Sequence, residues 1–187
     1  KELIITGQKI KKSGIELNDF VMPGLGGNLK LEGEETWRRH AVKTARVINA
    51  INPDFIRLRT LIIYPNTPLW EKAQVGDFKR LSDPEIVQEI GLFIQGLEGI
   101  TSQVRSNYVS NVLLEVEGSL PKDKGKILSI IDRYLALPLL EQYAFRTGML
   151  SGGPHTLDEF EKKGGAKNTL EEVIERFFYK FLRRYIE

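Results

Sequence analysis

Cysteine is absent from all 187 residues. Its absence excludes disulfides, thiolate zinc sites, iron–sulfur ligation by this chain and thiol catalysis together. Histidine is nearly absent too: His40 and His155 stand far apart, so a self-contained transition-metal site is not expected. No apolar run approaches the roughly 20 residues that a bilayer span requires. The opening Lys1-Glu2-Leu3-Ile4-Ile5-Thr6 is too poor in apolar residues for a signal peptide, and a cytoplasmic location is expected. An excess of one charge is also lacking, since 27 basic and 25 acidic residues leave a net charge of +2. This balance argues against a dedicated nucleic-acid surface. The basic clusters Lys9-Lys11-Lys12, Arg38-Arg39 and Arg183-Arg184 read as solvated helix faces, because longer like-charge blocks are missing. An initiator methionine is lacking, and the chain is expected to begin inside a longer one.

What is present is an ordinary globular balance of 41% hydrophobic and 28% charged residues. Residues 1–106 alternate helix-like and strand-like segments. A helix over 2–13 ends at Ser13-Gly14, and a strand over Leu17–Met22 closes at Pro23-Gly24-Leu25-Gly26-Gly27. Trp37, Ala41, Thr44, Ile48 and Ile51 recur every three or four residues and predict a helix over 34–51. Asn52-Pro53 stops it. A second strand, Phe55–Tyr64, runs into Pro65-Asn66-Thr67-Pro68. Ser82-Asp83-Pro84-Glu85 is a capping box with proline in the first turn, opening a helix over 83–97. A third strand is expected near Ile100–Arg105. This order predicts an α/β fold with parallel strands joined by crossover helices, part of a barrel rather than a closed one.

Residues 107–187 read as a mainly helical extension. Helices are expected over 122–136, Pro138–Thr147 and Leu157–Lys163. Thr169-Leu170-Glu171-Glu172 reads as a second capping box. It would open a terminal helix with the stripe Val173, Ile174, Phe177, Phe178, Phe181, Leu182 and Tyr185.

In parallel α/β sheets, ligands bind beyond the C-terminal strand ends, and two segments occupy that position. Met22-Pro23-Gly24-Leu25-Gly26-Gly27 packs three glycines into four residues. It reads either as a loop that a phosphate or planar base can approach or as a flexible turn. The dinucleotide fingerprint spacing is not present. The second segment is Phe55-Ile56-Arg57-Leu58-Arg59-Thr60-Leu61-Ile62. Alternation puts Arg57 and Arg59 on one face, against Ile56, Leu58 and Ile62 on the other. Two like charges side by side need anions or polar groups to answer them. That face is therefore expected to line a polar cavity, unless one arginine simply holds a structural carboxylate. His40 reads as a hydrogen-bonded packing residue. His155, with Asp158 nearby, has no activated nucleophile beside it. Glu115 and Glu117 would share a face if 112–117 is extended.

Taken in order, Val21-Met22-Pro23-Gly24-Leu25-Gly26-Gly27, His40-Ala41-Val42-Lys43-Thr44-Ala45 and Asn52-Pro53-Asp54-Phe55-Ile56-Arg57-Leu58-Arg59-Thr60-Leu61 resemble the second half of radical S-adenosylmethionine (radical SAM) proteins. Tyr64-Pro65-Asn66-Thr67-Pro68-Leu69-Trp70 is similar to a proline-glycine-threonine-proline-leucine turn of that family. Asn107–Asn111 and Gly118–Lys124 also resemble its segments. The likeness covers about residues 14–135 and is specific, as a set, to a subgroup of iron–sulfur oxidoreductases. It implies a (β/α)6 partial barrel with the strand before Gly24 as the fifth and the arginine strand as the sixth. Met22, Pro23, Gly24, Leu25 and Gly26 would lie against the adenine of S-adenosylmethionine. Arg57, Arg59 and Thr60 would line the cofactor and substrate chamber.

Two departures stand out. Asn66 replaces the turn glycine, although asparagine tolerates left-handed backbone. The cysteine motif for the [4Fe-4S] cluster is missing, so the chain is expected to be an inactive fragment of such an enzyme, its cluster carried by a missing N-terminal half. The other reading is a cluster-free ligand-binding or protein-interaction module built on the glycine loop and the arginine strand. An uncovered sheet edge would also favour self-association. Anaerobic reconstitution of the chain with iron and sulfide is expected to leave no protein-bound charge-transfer absorption. A stoichiometric [4Fe-4S] signal would overturn that expectation.

Overall fold

The computed structural model describes the backbone of residues 1–186 and the side chains of residues 1–176. Phe177, Phe178, Phe181, Leu182 and Tyr185 of the expected terminal stripe lie outside the described side chains. The protein is mixed α/β and about half helical, with a small sheet of mixed strand direction. Two compact units, Lys1–Ile131 and Asp132–Glu187, divide the chain.

In the first unit, α1 (Glu2–Lys12) leads to β1 (Asn18–Val21). A two-residue hairpin follows, β2 (Lys30–Leu31) with β3 (Glu34–Glu35), and then α2 (Thr36–Ile51). The expected helix start at 34 is therefore corrected to Thr36. The Thr36 hydroxyl donates to Gly27 O at 2.8 Å and the Thr36 N–H to Leu29 O at 2.9 Å, fixing the hairpin to the helix start. The buried stripe of α2 is Trp37, Ala41, Ala45, Ile48 and Ile51, with Ala45 rather than half-buried Thr44 on the inner face. Asn52 ends the helix in the left-handed conformation at φ 50°. Its side chain then accepts the Thr101 N–H at 2.9 Å.

The next strand, β4 (Phe55–Leu58), is shorter than the expected Phe55–Tyr64. Its neighbours end as it does: β1 at Val21 and β5 (Gln103–Arg105) at Arg105. Between β4 and β5 lie α3 (Pro68–Gln74), which the sequence reading missed, and α4 (Asp83–Gln95). Thr67 caps α3, accepting the Trp70 N–H at 3.3 Å, and Asn66 before it takes φ 62°. Asparagine does hold the left-handed turn. The Ser82–Glu85 capping box opens α4 as its sequence indicates.

The sheet order is β1-β4-β5-β6, with β1, β4 and β5 mutually parallel. The last strand, β6 (Gly118–Ser119), runs antiparallel to β5. Residues 112–117 are irregular rather than extended, so Glu115 and Glu117 are not paired along a strand. Among the described residues no strand pairs with the outer edge of β1. One sheet face carries Val21, Ile56, Leu58 and Val104, all buried. That face meets the helices: Val21 shares a small void with Ala41 of α2 and Ile90 of α4. The opposite face carries Asn18, Phe20, Phe55, Arg57, Gln103 and Arg105, none of them buried.

The second unit begins at Asp132 within α5 (Lys124–Ala136) and contains α6 (Leu139–Leu150), α7 (Leu157–Lys162) and α8 (Gly165–Ile186). Tyr134, Phe145 and Phe160 pack edge to face at 6.1 and 5.5 Å between ring centroids. Thr169 does not cap the terminal helix, which begins at Gly165 rather than at Leu170 as the local pattern indicates. Glu141 of α6 instead accepts the Ala166 N–H at 2.9 Å, a tertiary cap that displaces the local one. No helix among the described residues is long and apolar enough to cross a membrane.

A cavity of about 400 Å³ lies against α1, β1 and α2, lined mostly by apolar residues together with Thr6, Asp19, Lys43 and Thr44. Asp19 Oδ2 is buried there with no hydrogen-bond partner, and burial raises its carboxyl above the ordinary range. The folded state thus holds this proton more tightly than the unfolded chain. Ionised Asp19 costs stability at pH values above its folded-state pKa, and the cost fades as pH falls. Asp19→Asn is expected to melt higher than the parent at pH 7. The gap should close towards about pH 4, near the ordinary carboxylate range. Thermal melts across that range check this, and a gap independent of pH would show that ionisation is not the cause.

Candidate functional site

The loop after β1 is held from three sides. Arg59 N–H donates to Val21 O and Leu61 N–H to Pro23 O, each at 2.9 Å, so the chain beyond β4 stays bonded to the loop beyond β1. Gly24 N–H donates to Glu89 Oε2 at 2.7 Å. Glu89, only 2% exposed, lies in the otherwise apolar stripe of α4 and also meets His40 Nδ1 at 2.5 Å. His40 is thus a hydrogen-bonded packing residue, as its place on the helix indicates.

A side chain at any of the three glycines would run into the protein. A Cβ on Gly26 would stand 2.8 Å from the Cβ of His40 and 3.0 Å from Thr36 O. Gly24 has φ 92° and would place a Cβ 3.3 Å from that of Leu61. The small residues let the loop lie flat on α2 and on the chain after β4. Pro23 and Gly24 are buried, Gly26 is half-buried, and Met22 and Leu25 are exposed at 40% and 47%. The surface that the loop offers is therefore made by Met22 and Leu25.

Beyond the C-terminal strand ends, a cavity of about 300 Å³ is lined by Met22, Arg59, Thr60, Tyr64 and Tyr108, among others. Three of the sequence-derived residues thus meet at one place. The Arg59 guanidinium lies 4.5 Å from the ring centroid of Tyr108 and 5.5 Å from that of Phe20. It forms no ion pair among the described residues, so its charge meets only aromatic faces. Arg57 lies on the same sheet face, donating from Nε to Asn18 Oδ1 at 3.0 Å, with its guanidinium 5.6 Å from the Phe55 ring. Neither arginine holds a structural carboxylate among the described residues.

Thr60 serves differently. Its N–H and its hydroxyl both donate to Asn111 Oδ1, at 2.9 and 3.0 Å, and the residue is 5% exposed. Asn111, fully buried, donates from Nδ2 to Leu58 O at 3.0 Å and to Ser106 Oγ at 3.0 Å. One side chain therefore replaces a ladder partner where β5 has ended. Thr60 shapes the wall, and its hydroxyl is already committed. In the second unit, His155 is exposed and Asp158 is engaged by Arg133 at 2.8 Å, which holds that carboxyl below its ordinary range. The two do not form a site.

Sequence reasoning missed Tyr108, Phe20, Glu89, Asn111 and Arg105 as parts of this region. A signal existed for Glu89, a lone acid among Ile86, Ile90 and Phe93. Arg105 also alternates with buried Val104 in the third strand. Nothing local marks Asn111 or Tyr108. Comparison of the chain with protein-family models, with curated proteins and with solved structures finds no match in any of the three.

Asn111→Ala would strand the buried Leu58 O and Thr60 N–H together. A loss of about 3 kcal/mol is expected, against about 1 kcal/mol for Thr60→Val, which removes only a hydroxyl. Urea unfolding of both variants checks this. Equal losses would show that Asn111 does not carry the end of the strand.

Proposed function

We propose that this chain is the cofactor-holding part of a radical SAM enzyme of the iron–sulfur oxidoreductase group, inactive by itself. In this reading the three parallel strands of the sheet belong to a partial (β/α)6 barrel, and their arginine-bearing face lines the chamber. The observation that supports it most is Arg59. Its guanidinium, with no ion pair among the described residues, lies near two aromatic rings, beside a cavity at the C-terminal ends of parallel strands.

Such a group suits a carboxylate, and the methionine carboxylate of S-adenosylmethionine is the candidate acceptor. Met22 and Leu25 supply the exposed apolar surface for the adenine, while Pro23, Gly24 and Gly26 set the loop's path. Thr60 holds the wall through Asn111. The iron–sulfur cluster does not fit the residues of this chain, since its usual thiolate ligands are wholly absent. It would belong to a partner segment bearing cysteines. S-adenosylmethionine, where bound, supplies the bond that is reductively cleaved, and the task of this chain is to bind and orient.

The same lack of cysteine favours a second reading, a cluster-free module that holds an anionic ligand at Arg59. Titration of S-adenosylhomocysteine separates the two. Saturable binding that Arg59→Ala weakens at least tenfold, about 1.4 kcal/mol, with melting unchanged, is expected from the cofactor-holding chain. Absence of binding by the parent chain removes that reading. Undiminished binding by Arg59→Ala removes the role of Arg59.

A further inference from the structure

The outer edge of β1 is open. Leu17 O accepts the Phe55 N–H and Val21 O accepts the Arg59 N–H, so residues 17, 19 and 21 turn their backbone towards β4. In a parallel ladder the residues between them turn theirs the other way. The N–H and C=O groups of Asn18 and Phe20 therefore point away from the sheet, and no strand among the described residues meets them. Such an edge is a template for another strand.

The cavity of about 400 Å³ runs along this edge. No residue of β4 lines it, whereas Phe20 does, although Phe20 lies on the opposite sheet face from Val21. Leu3 and Ile10 of α1 and Val47 of α2 form its other walls. The two helices thus roof an apolar lane beside β1.

One charge interrupts the lane. Leu17, Asp19 and Val21 all line it, alternating as apolar, acidic and apolar along one face. The Asp19 carboxylate forms no hydrogen bond or ion pair among the described residues, and its Oδ2 is sealed from solvent. Lys43 shares the wall, but it is exposed and makes no ion pair with Asp19. A carboxylate desolvated without a partner costs stability, and a cation brought into the lane would offset that cost through charge-assisted hydrogen bonds. A second copy of this chain does not supply one, since its β1 would bring another carboxylate to the edge.

We infer that the β1 edge takes up an extended segment of a partner protein in which a lysine or arginine stands between two apolar residues, in the pattern apolar-x-basic-x-apolar. Its backbone pairs with Asn18 and Phe20, as in strand addition. The base answers Asp19, and the flanking apolar side chains pack under α1 and α2. The inference does not rest on the cofactor reading, because neither Arg59 nor Tyr108 lines this lane.

The test titrates the full chain, nitrogen-labelled in its backbone, with the capped peptide Thr-Val-Thr-Lys-Thr-Val-Thr. Its glutamate counterpart and a lysine peptide N-methylated on its three central backbone nitrogens serve as comparisons. The lysine peptide is expected to shift the Asn18 and Phe20 amide signals saturably, and to bind at least tenfold more tightly than the glutamate peptide. Asp19→Asn should cut that preference at least fivefold, and N-methylation should abolish binding. Equal affinity for the two charged peptides, silent Asn18 and Phe20 signals, or an undiminished preference in folded Asp19→Asn overturns the inference. If no peptide binds, Asp19 serves only to guard the edge against pairing, and the inference falls. Concentration-dependent shifts of both signals in the chain alone, with a dimer in sedimentation, would assign the edge to a second copy and overturn it as well.

Discussion

Side chains on a strand alternate between two faces, and in β4 this alternation ties the core to the site. Ile56 and Leu58 are 0% and 1% exposed on the helix-covered face. Burying each contributes about 1.5–3 kcal/mol, so the register of β4 has no freedom to slip. A shift by one residue would exchange them for Arg57 and Arg59. Val21 in β1 and Val104 in β5 are locked in the same manner. The arginine face is thus a consequence of the core, and its charges are held in place by residues that never touch them.

Where the ladder stops, buried polar side chains take over. Asn111 serves Leu58 and Thr60 on one side of the chain beyond β4, while Val21 and Pro23 carbonyls serve Arg59 and Leu61 on the other. Glu89 reaches up from α4 to hold Gly24. The candidate site is therefore walled by individual hydrogen bonds rather than by a continuous sheet. Each such bond contributes only about 1 kcal/mol net, but leaving its buried partner unpaired costs more. This asymmetry gives the wall a single arrangement.

The elements legible in the sequence were those with local causes. Ser82–Glu85 carries its own cap, Asn52 and Asn66 tolerate the left-handed backbone they adopt, and Arg57 and Arg59 declare a face by alternation. What escaped depends on distant partners. The end of β4 at Leu58 reflects where β1 and β5 stop. The start of α8 at Gly165 depends on Glu141, which lies 25 positions from the Ala166 it caps. Tyr108 enters the site only because the chain after β5 brings its ring to Arg59. The glycine loop was legible as a loop, but its glycines serve contacts with His40 and Leu61 that no local pattern reveals.

Those inward glycines have an evolutionary corollary. A side chain at Gly26 would collide with His40 and Thr36, and Gly24 is confined by its backbone angle and by Leu61. Variation in this loop is thereby channelled to Met22 and Leu25, whose side chains project outward. A lineage, or a designer working with saturation libraries, can alter the exposed surface of the loop at these two positions, of which Met22 lines the cavity, while the scaffold beneath stays intact. Exposed surface and foldability are set at separate addresses within six consecutive residues, 22–27.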